Sequence, residues 1–279
     1  MTNTGEDTSD LDLSQIGEPD GLGVDGSASV SVFAALLAEA RAVVGEMRLA
    51  AKLGEMTPPG LCPIFYRDTV IKAALPWANA DSLQRRLLAT HAPLDDLLLT
   101  QVIDLVPSLA GAALVDVGSF TGSTAFFLRA FQKPAVTHLF EPQAIMQEAL
   151  NAAIASNDPS LGPVILHRDV IDEEGQTVEI GSTTPSRLHQ TRYLRREGGP
   201  IRARGLDALD LGRIGLLNLD FPNDKVPALR GGLATIARDR PVILMDLAAR
   251  DIGDVRELLL PLGYRDIRIG RNSTLFFPE

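Results

Sequence analysis

From Gly111 onward, short apolar runs of strand length alternate with longer segments of helical spacing, and this alternation restricts the chain more than any other feature. Ala113–Val117 is a compact run rich in Val and Leu, 121–131 has helical spacing, and Val136–Phe140 again reads as strand. A helix over 143–155, strands at Val164–His167 and Ile214–Leu219, a helix around 228–237, a strand at 242–247 and a helix over 252–260 follow. Such alternation predicts an α/β architecture, a doubly wound and mainly parallel sheet covered on both faces. The last two runs, 264–269 and 274–277, are joined only through Gly270-Arg271-Asn272. A connection this short permits only antiparallel pairing, so the sheet is expected to close on a hairpin.

The sequence ahead of Gly111 has a different texture. Residues 1–30 are rich in Gly, Ser, Thr and Asp and poor in large apolar groups, which predicts a disordered acidic tail. Residues 1–26 hold seven acids and no base, so of the net charge of −10 the remaining 253 residues carry only −3. A near-neutral body offers no electrostatic footprint for a phosphate backbone, which argues against nucleic acid as a partner. Phe33, Leu36, Leu37, Ala40, Val44, Met47 and Ala51 follow three- and four-residue spacing and predict a helix over 31–53, ended by Thr57-Pro58-Pro59-Gly60. The whole of 31–110 is expected to be a mostly helical region that covers the sheet domain of 111–279, with a homodimer surface as the alternative. No apolar run reaches the roughly 20 residues of a membrane span. With Cys62 the sole cysteine, no internal disulfide can form, and a cytoplasmic protein is expected.

The segment with the most chemical information is Ala113-Leu-Val-Asp116-Val-Gly118-Ser119-Phe-Thr-Gly122-Ser123. A strand ends in an acid, a glycine-bearing turn follows, and a helix begins. In open α/β sheets ligands bind outside the carboxyl ends of the strands, and glycines are expected where backbone approaches the ligand. A phosphate-cradling Walker loop needs Lys after its last glycine, where Ser123 stands, and a dinucleotide turn needs G-x-G-x-x-G, whereas this turn reads G-x-x-x-G. A second strand ends in Leu139-Phe140-Glu141-Pro142, 25 residues after Asp116. Glu141 there is suited to accept both hydroxyls of a ribose, or else is an acid at the start of a helix.

These motifs, with Leu150-Asn151, Asn157, Asp172-Glu-Glu-Gly175, Leu206-Asp207-Ala-Leu209, Asn218-Leu-Asp220, Leu229-Arg-Gly231, Arg240-Pro241-Val-Ile-Leu244 and Leu262-Gly263-Tyr264, resemble the FkbM-type methyltransferases in order and spacing from about Ala113 to Pro278. The resemblance implies a class I methyltransferase, Rossmann-like fold with an antiparallel terminal hairpin. It implies S-adenosylmethionine as cofactor, with Asp116, Gly118, Ser119, Gly122, Glu141, Pro142, Asp169 and Val170 as the residues that hold it. The implied reaction is O-methylation of a small molecule or sugar, with N-methylation or an inactive scaffold as alternatives. The family usually continues its fourth strand as Lys-x-Asp-x-Glu-Gly-x-Glu. Here the run is Asn218-Leu-Asp220-Phe-Pro222-Asn223-Asp-Lys225, so only the Asp is kept.

For proton removal from an acceptor the candidates are Asp220, at the end of the fourth strand, and His167, which ends a strand near Asp169. His138 lies inside a strand pattern and is expected to be a core residue. No metal-ligand spacing is present. The polar segment 182–199, containing His189, is expected to be a surface loop serving as a lid or acceptor-recognition insert. Arg192, Arg195, Arg196, Arg202 and Arg204 cluster about Gly198-Gly199-Pro200, and read either as recognition of an acidic acceptor or as a solvated basic loop.

Overall fold

The protein is described by a computed structural model covering residues 60–181, 184–248 and 250–279. The acidic tail of 1–30 and the helix expected over 31–53 lie outside the described residues. The centre is a seven-stranded sheet built from β3 (Ala113–Val117), β4 (Val136–Phe140), β5 (Val164–His167), β10 (Ile214–Leu219), β11 (Val242–Asp246), β12 (Tyr264–Arg268) and β13 (Ser273–Pro278). Their order is β12-β13-β11-β10-β3-β4-β5. Neighbours from β11 to β5 are parallel, while β13 runs antiparallel to both β11 and β12. The terminal hairpin therefore inserts its second strand into the sheet.

Burial on both faces follows directly from the apolar runs. Leu114, Leu216 and Leu244 point into one core, and their successors Val115, Leu217 and Met245 point into the other. Helices α3 (Ser123–Gln132) and α4 (Ala144–Ser156) cover the first face. Met146, Gln147, Leu150 and Ala153 of α4 are buried at helical spacing. Helices α5 (Val226–Arg230), α6 (Leu233–Asp239) and α7 (Ile252–Leu259) contribute to the second core. The single helix expected over 228–237 is thus two, broken at Gly231-Gly232. A side chain on Gly232 would come within 2.9 Å of Leu206, so the glycine that weakens the helix is required by packing.

Among the described residues before Gly111, 60–110, a hairpin of β1 (Leu61–Tyr66) and β2 (Thr69–Ala74), which was not expected, precedes α1 (Ser82–Thr90) and α2 (Asp96–Leu105). Pro63 is accommodated within β1 because in a two-stranded ribbon each strand has a free edge that tolerates a missing donor. The hairpin is tied to the sheet domain: Ala74 N–H donates to the Thr121 carbonyl (2.9 Å), and the Asn157 side chain bonds both backbone groups of Lys72 (2.9 Å each). Its Leu61, Ile64 and Ile71 belong to the same apolar core as Phe126 and Leu114.

A second, four-stranded sheet flanks the segment 182–199 expected to be a surface loop and takes one strand, β8, from it. It comprises β6 (Val170–Ile171), β7 (Thr177–Ile180), β8 (Tyr193–Arg195) and β9 (Ile201–Arg204), in the order β6-β9-β7-β8. Val170, Val178 and Ala203 form its small core, with Tyr193 and Ile201 packed against it. Among the described residues no helix is long and apolar enough to cross a membrane.

Candidate functional site

The carboxyl ends of β3, β4 and β10 converge, as the strand order requires. Asp116 is 2% exposed and stands beside Asn218 in register, whose side-chain amide donates to it at 2.6 Å. Burial pushes the Asp116 carboxyl up, and hydrogen bonds from Ser119 and Asn218 oppose that shift. Ser119 turns its hydroxyl back onto the Asp116 carbonyl at 3.0 Å. Gly118 and Ser119 both donate their N–H groups to the Phe140 carbonyl, at 3.0 and 3.2 Å, so the turn is bound down onto the end of β4.

Glu141 completes that attachment. One carboxylate oxygen accepts from Phe120 N–H (3.0 Å) and the other from Gln143 N–H (2.9 Å) at the start of α4. At 1% exposure it is sealed, and burial raises its carboxyl to about 7 against the pull of those donors. Of the two sequence alternatives for this residue, the structure bears on one: it is an acid at the start of α4. The two glycines of the turn are tightly packed. Built with a side chain, Gly118 would place its Cβ 2.1 Å from the Asp220 carbonyl oxygen, and Gly122 would place its Cβ 2.5 Å from the Phe126 ring. Both have φ near +80° and both make room for the protein's own packing, and Gly118 also lines the cleft.

Pro142, Asp169 and Val170 line one small cavity together with Gly118, Phe140 and Tyr193. Its volume is about 10 Å³, no more than one water needs. Tyr193 of β8 forms part of its wall. Burial and the nearby Glu141 charge push its phenol well up, opposed by a hydrogen bond with Gln143, which locates the ring between β8 and the start of α4. Its backbone is pinned in turn by Asn223: the Asn223 side-chain oxygen accepts from Tyr193 N–H (2.9 Å), and its amide donates to the Tyr193 carbonyl (2.6 Å). The altered stretch after Asp220 therefore has a structural role that the family pattern gave no means to foresee. His189 anchors the same segment from the other side. Its ring lies 2.9 Å from the buried Asp81, the N-cap of α1, and edge-on to Phe120.

Asp220 opens onto two larger cavities. One, of about 600 Å³, is bounded by Gly118, Phe120, His189, Arg192, Lys225 and Asp246 among others. The second, of about 320 Å³, lies against α2 and α3. Desolvation on the cleft floor, then the like charges of Asp116 and Asp246, push the Asp220 carboxyl up to about 6, while Lys225 pulls it down. Cleft water reaches this side chain, so the neighbouring charges carry more of the shift than burial alone suggests. Lys225, which sequence reasoning passed over, is buried and donates to the Phe221 and Asn223 carbonyls.

His167 is not brought to Asp220. Its ring stacks on Phe140 at 4.3 Å and lies 2.9 Å from His138, so the second catalytic candidate is a packing residue of the β4–β5 edge. His138 is a buried core residue held near pKa 4 by burial and by His167. Four of the five clustered arginines are spent on neighbouring acids: Arg195 on Asp172, Arg196 on Glu179, and Arg202 and Arg204 on Glu174. Among the described residues no three His, Cys, Asp or Glu side chains converge as a metal site.

A parallel sheet with one reversed strand second from its edge, and a site over the ends of its central strands, decides the architecture. The fold is that of the class I methyltransferases. The chain is similar to the crystal structure of methyltransferase FkbM from Methylobacillus flagellatus KT, with 14% identity and a TM-score of 0.43, over 85% of this chain and 59% of that one. It is also similar to M. jannaschii TYW2 in complex with AdoMet (10%, TM-score 0.42, over 79% and 87%) and to M. capricolum TrmK in complex with S-adenosylhomocysteine (13%, TM-score 0.33, over 64% and 65%). The chain thus spans less than two thirds of the FkbM structure's length. No protein-family model matches the chain, and no curated protein does. At such identities the class I assignment rests on this chain's own strand order.

Proposed function

We propose that the protein is an S-adenosylmethionine-dependent methyltransferase acting on a small-molecule acceptor. The observation that carries this reading is the arrangement of Asp116, Glu141 and Asp220 at the carboxyl ends of adjacent strands β3, β4 and β10. Glu141 stands at the strand end suited to ribose hydroxyls and Asp116 at the one suited to the cationic amino-acid end, but both are buried and already hydrogen-bonded, so the cofactor has to compete for them. A third point, the slot of Pro142, Asp169 and Val170, fits only after Tyr193 moves away from it. When bound, the cofactor supplies a methyl group on a sulfonium whose displacement leaves the bonding pair on sulfur. The chain's own residues align the acceptor, exclude water and take up the proton it sheds. Asp220, open to both larger cavities and raised toward neutrality, is the group that takes that proton.

Calorimetric titration of the full chain with S-adenosylhomocysteine tests the reading, with NADH as the control ligand. Micromolar binding that is lost in Glu141→Gln is expected. If S-adenosylhomocysteine binds neither to the wild type nor to Tyr193→Ala, in which the slot is open, the reading fails. The closed slot then favours an inactive scaffold.

A further inference from the structure

The 320 Å³ cavity beside α2 lies within the usual range for a small-molecule site, and its wall and floor differ in chemistry. Leu98, Val102, Phe127 and Leu244 form an apolar wall, while Asp220 and Asp246 form the floor. The register pairs Leu219 with Met245, so the two acids follow side by side at the ends of adjacent parallel strands, about 5 Å apart at the backbone. Neither carboxylate makes a hydrogen bond among the described residues. Lys225, the cation nearest to them, has given its donors to two carbonyls. Arg271 is exposed on the hairpin turn at the rim and forms no ion pair there.

We infer that this cavity is the acceptor site and that its acceptor is an amine on an apolar, ring-sized body. The inference rests on the methyltransferase reading for the reaction, but not for the binding. Two carboxylates one strand-spacing apart, with no cation paired to them among the described residues, favour a positive charge at the cavity floor. A protonated amine brings that charge and three N–H donors that two carboxylates can share, whereas a hydroxyl is neutral and brings one donor. An acceptor bearing a phosphate or carboxylate is repelled by the same floor. In the reaction the bound ammonium first gives one proton to Asp220, the nitrogen lone pair so freed forms the new N–C bond, the S–C bonding pair stays on sulfur, and the product leaves as a methylammonium. This replaces the hydroxyl acceptor that the family resemblance implied.

The test compares tryptamine with tryptophol, which share a ring and differ in amine against hydroxyl, by calorimetry on the full chain. Tryptamine is expected to bind roughly tenfold more tightly, and Asp246→Asn and Asp220→Asn should each bring the two ligands to near parity. Equal binding to the wild type, binding of neither ligand, or a preference that survives both substitutions overturns the inference. S-adenosylhomocysteine is titrated separately into the same preparations. If it binds while the amine does not, the acceptor assignment alone fails. If the amine binds while it does not, the amine site stands and the methyltransferase reading fails.

Discussion

The two ends of one cleft are built on opposite principles. At the β3–β4 end, Asp116 and Glu141 are sealed, Asp116 held by the Asn218 side-chain amide and Glu141 by two backbone N–H groups, and the cavity beside them, walled in part by Tyr193, has room for about one water. At the β10–β11 end, Asp220 and Asp246 stand unpartnered over cavities of hundreds of cubic ångströms. The same sheet edge thus carries two pairs of acids, one satisfied by the protein and one awaiting a ligand. Buried acids that are already satisfied hold the turn in place, and a ligand must compete for them. Exposed acids do little for stability and are free to recognise a ligand.

The most severe way to break this contrast is at Gly118, which borders both the closed slot and the 600 Å³ cavity. In Gly118→Ala the new methyl meets the Asp220 carbonyl oxygen at 2.1 Å, on a backbone with φ of +86°. Backbone faces backbone here, so no flexible side chain absorbs the clash. A loss of about 4 kcal/mol or more in urea unfolding is expected. A loss below about 1 kcal/mol would mean that the two ends are not held in contact.

The buried acids also give the closed end a pH signature. Glu141 titrates near 4.5 when exposed and near 7 in the folded protein. Between those values the folded state keeps a proton that the unfolded chain has released, so its contribution is full below pH 4.5 and is lost as pH rises to about 7. The decline expected from this group is about 3 kcal/mol. Asp116 and Asp220 shift the same way and steepen the fall. Urea titrations at pH 5 and pH 8 should show the wild type less stable at pH 8 and Glu141→Gln with a visibly flatter difference. An unchanged slope in the variant would assign the titration elsewhere.

Opening the closed end by Tyr193→Ala converts the contrast into a binding measurement. The substitution removes a packed ring, at about 2 kcal/mol of stability, and widens the slot beside Glu141. Affinity for S-adenosylhomocysteine should rise about tenfold, because the ligand no longer displaces the ring. Asn223→Ala, which frees the Tyr193 backbone from its two hydrogen bonds, should give a smaller gain in the same direction. Weaker binding in both variants would make Tyr193 a contact of the cofactor rather than its obstacle.

The sheet was legible because its signal is local: each central strand is a short apolar run, and two strands joined by so brief a link have no parallel option. The roles of Asp116, Glu141 and Asp220 were legible for a related reason, since an acid that ends a strand is placed by the strand. The small sheet of β6 to β9 was not, because its strands are two to four residues long and mostly exposed on one side, leaving no period to read. Tyr193, Asn223 and Asp81–His189 join residues 30 and 108 positions apart, and nothing in the local sequence announces such partners. His167 was misassigned for the converse reason. Strand direction set its position correctly, but its side chain found Phe140 and His138 on the neighbouring strand.

The arginine cluster of the small sheet supplies the smallest expected effect and the clearest control. Arg202 and Arg204 both reach Glu174, which also accepts the Gly205 backbone N–H at 2.9 Å. That carboxylate is held below its usual range, by the Gly205 hydrogen bond first and by the two arginines with it. Arg202 itself is 64% exposed at the side chain, so its ion pair is screened and its removal leaves Glu174 with two other partners. In Arg202→Ala, stability should change by no more than about 0.5 kcal/mol, and affinity for both S-adenosylhomocysteine and tryptamine should stay as in the wild type. The comparison that counts is with an acidic probe, indole-3-acetate: if its binding is measurable and falls in Arg202→Ala, the basic strand faces a ligand. The cleft would then have a third charged end, with a sign opposite to that of Asp220 and Asp246.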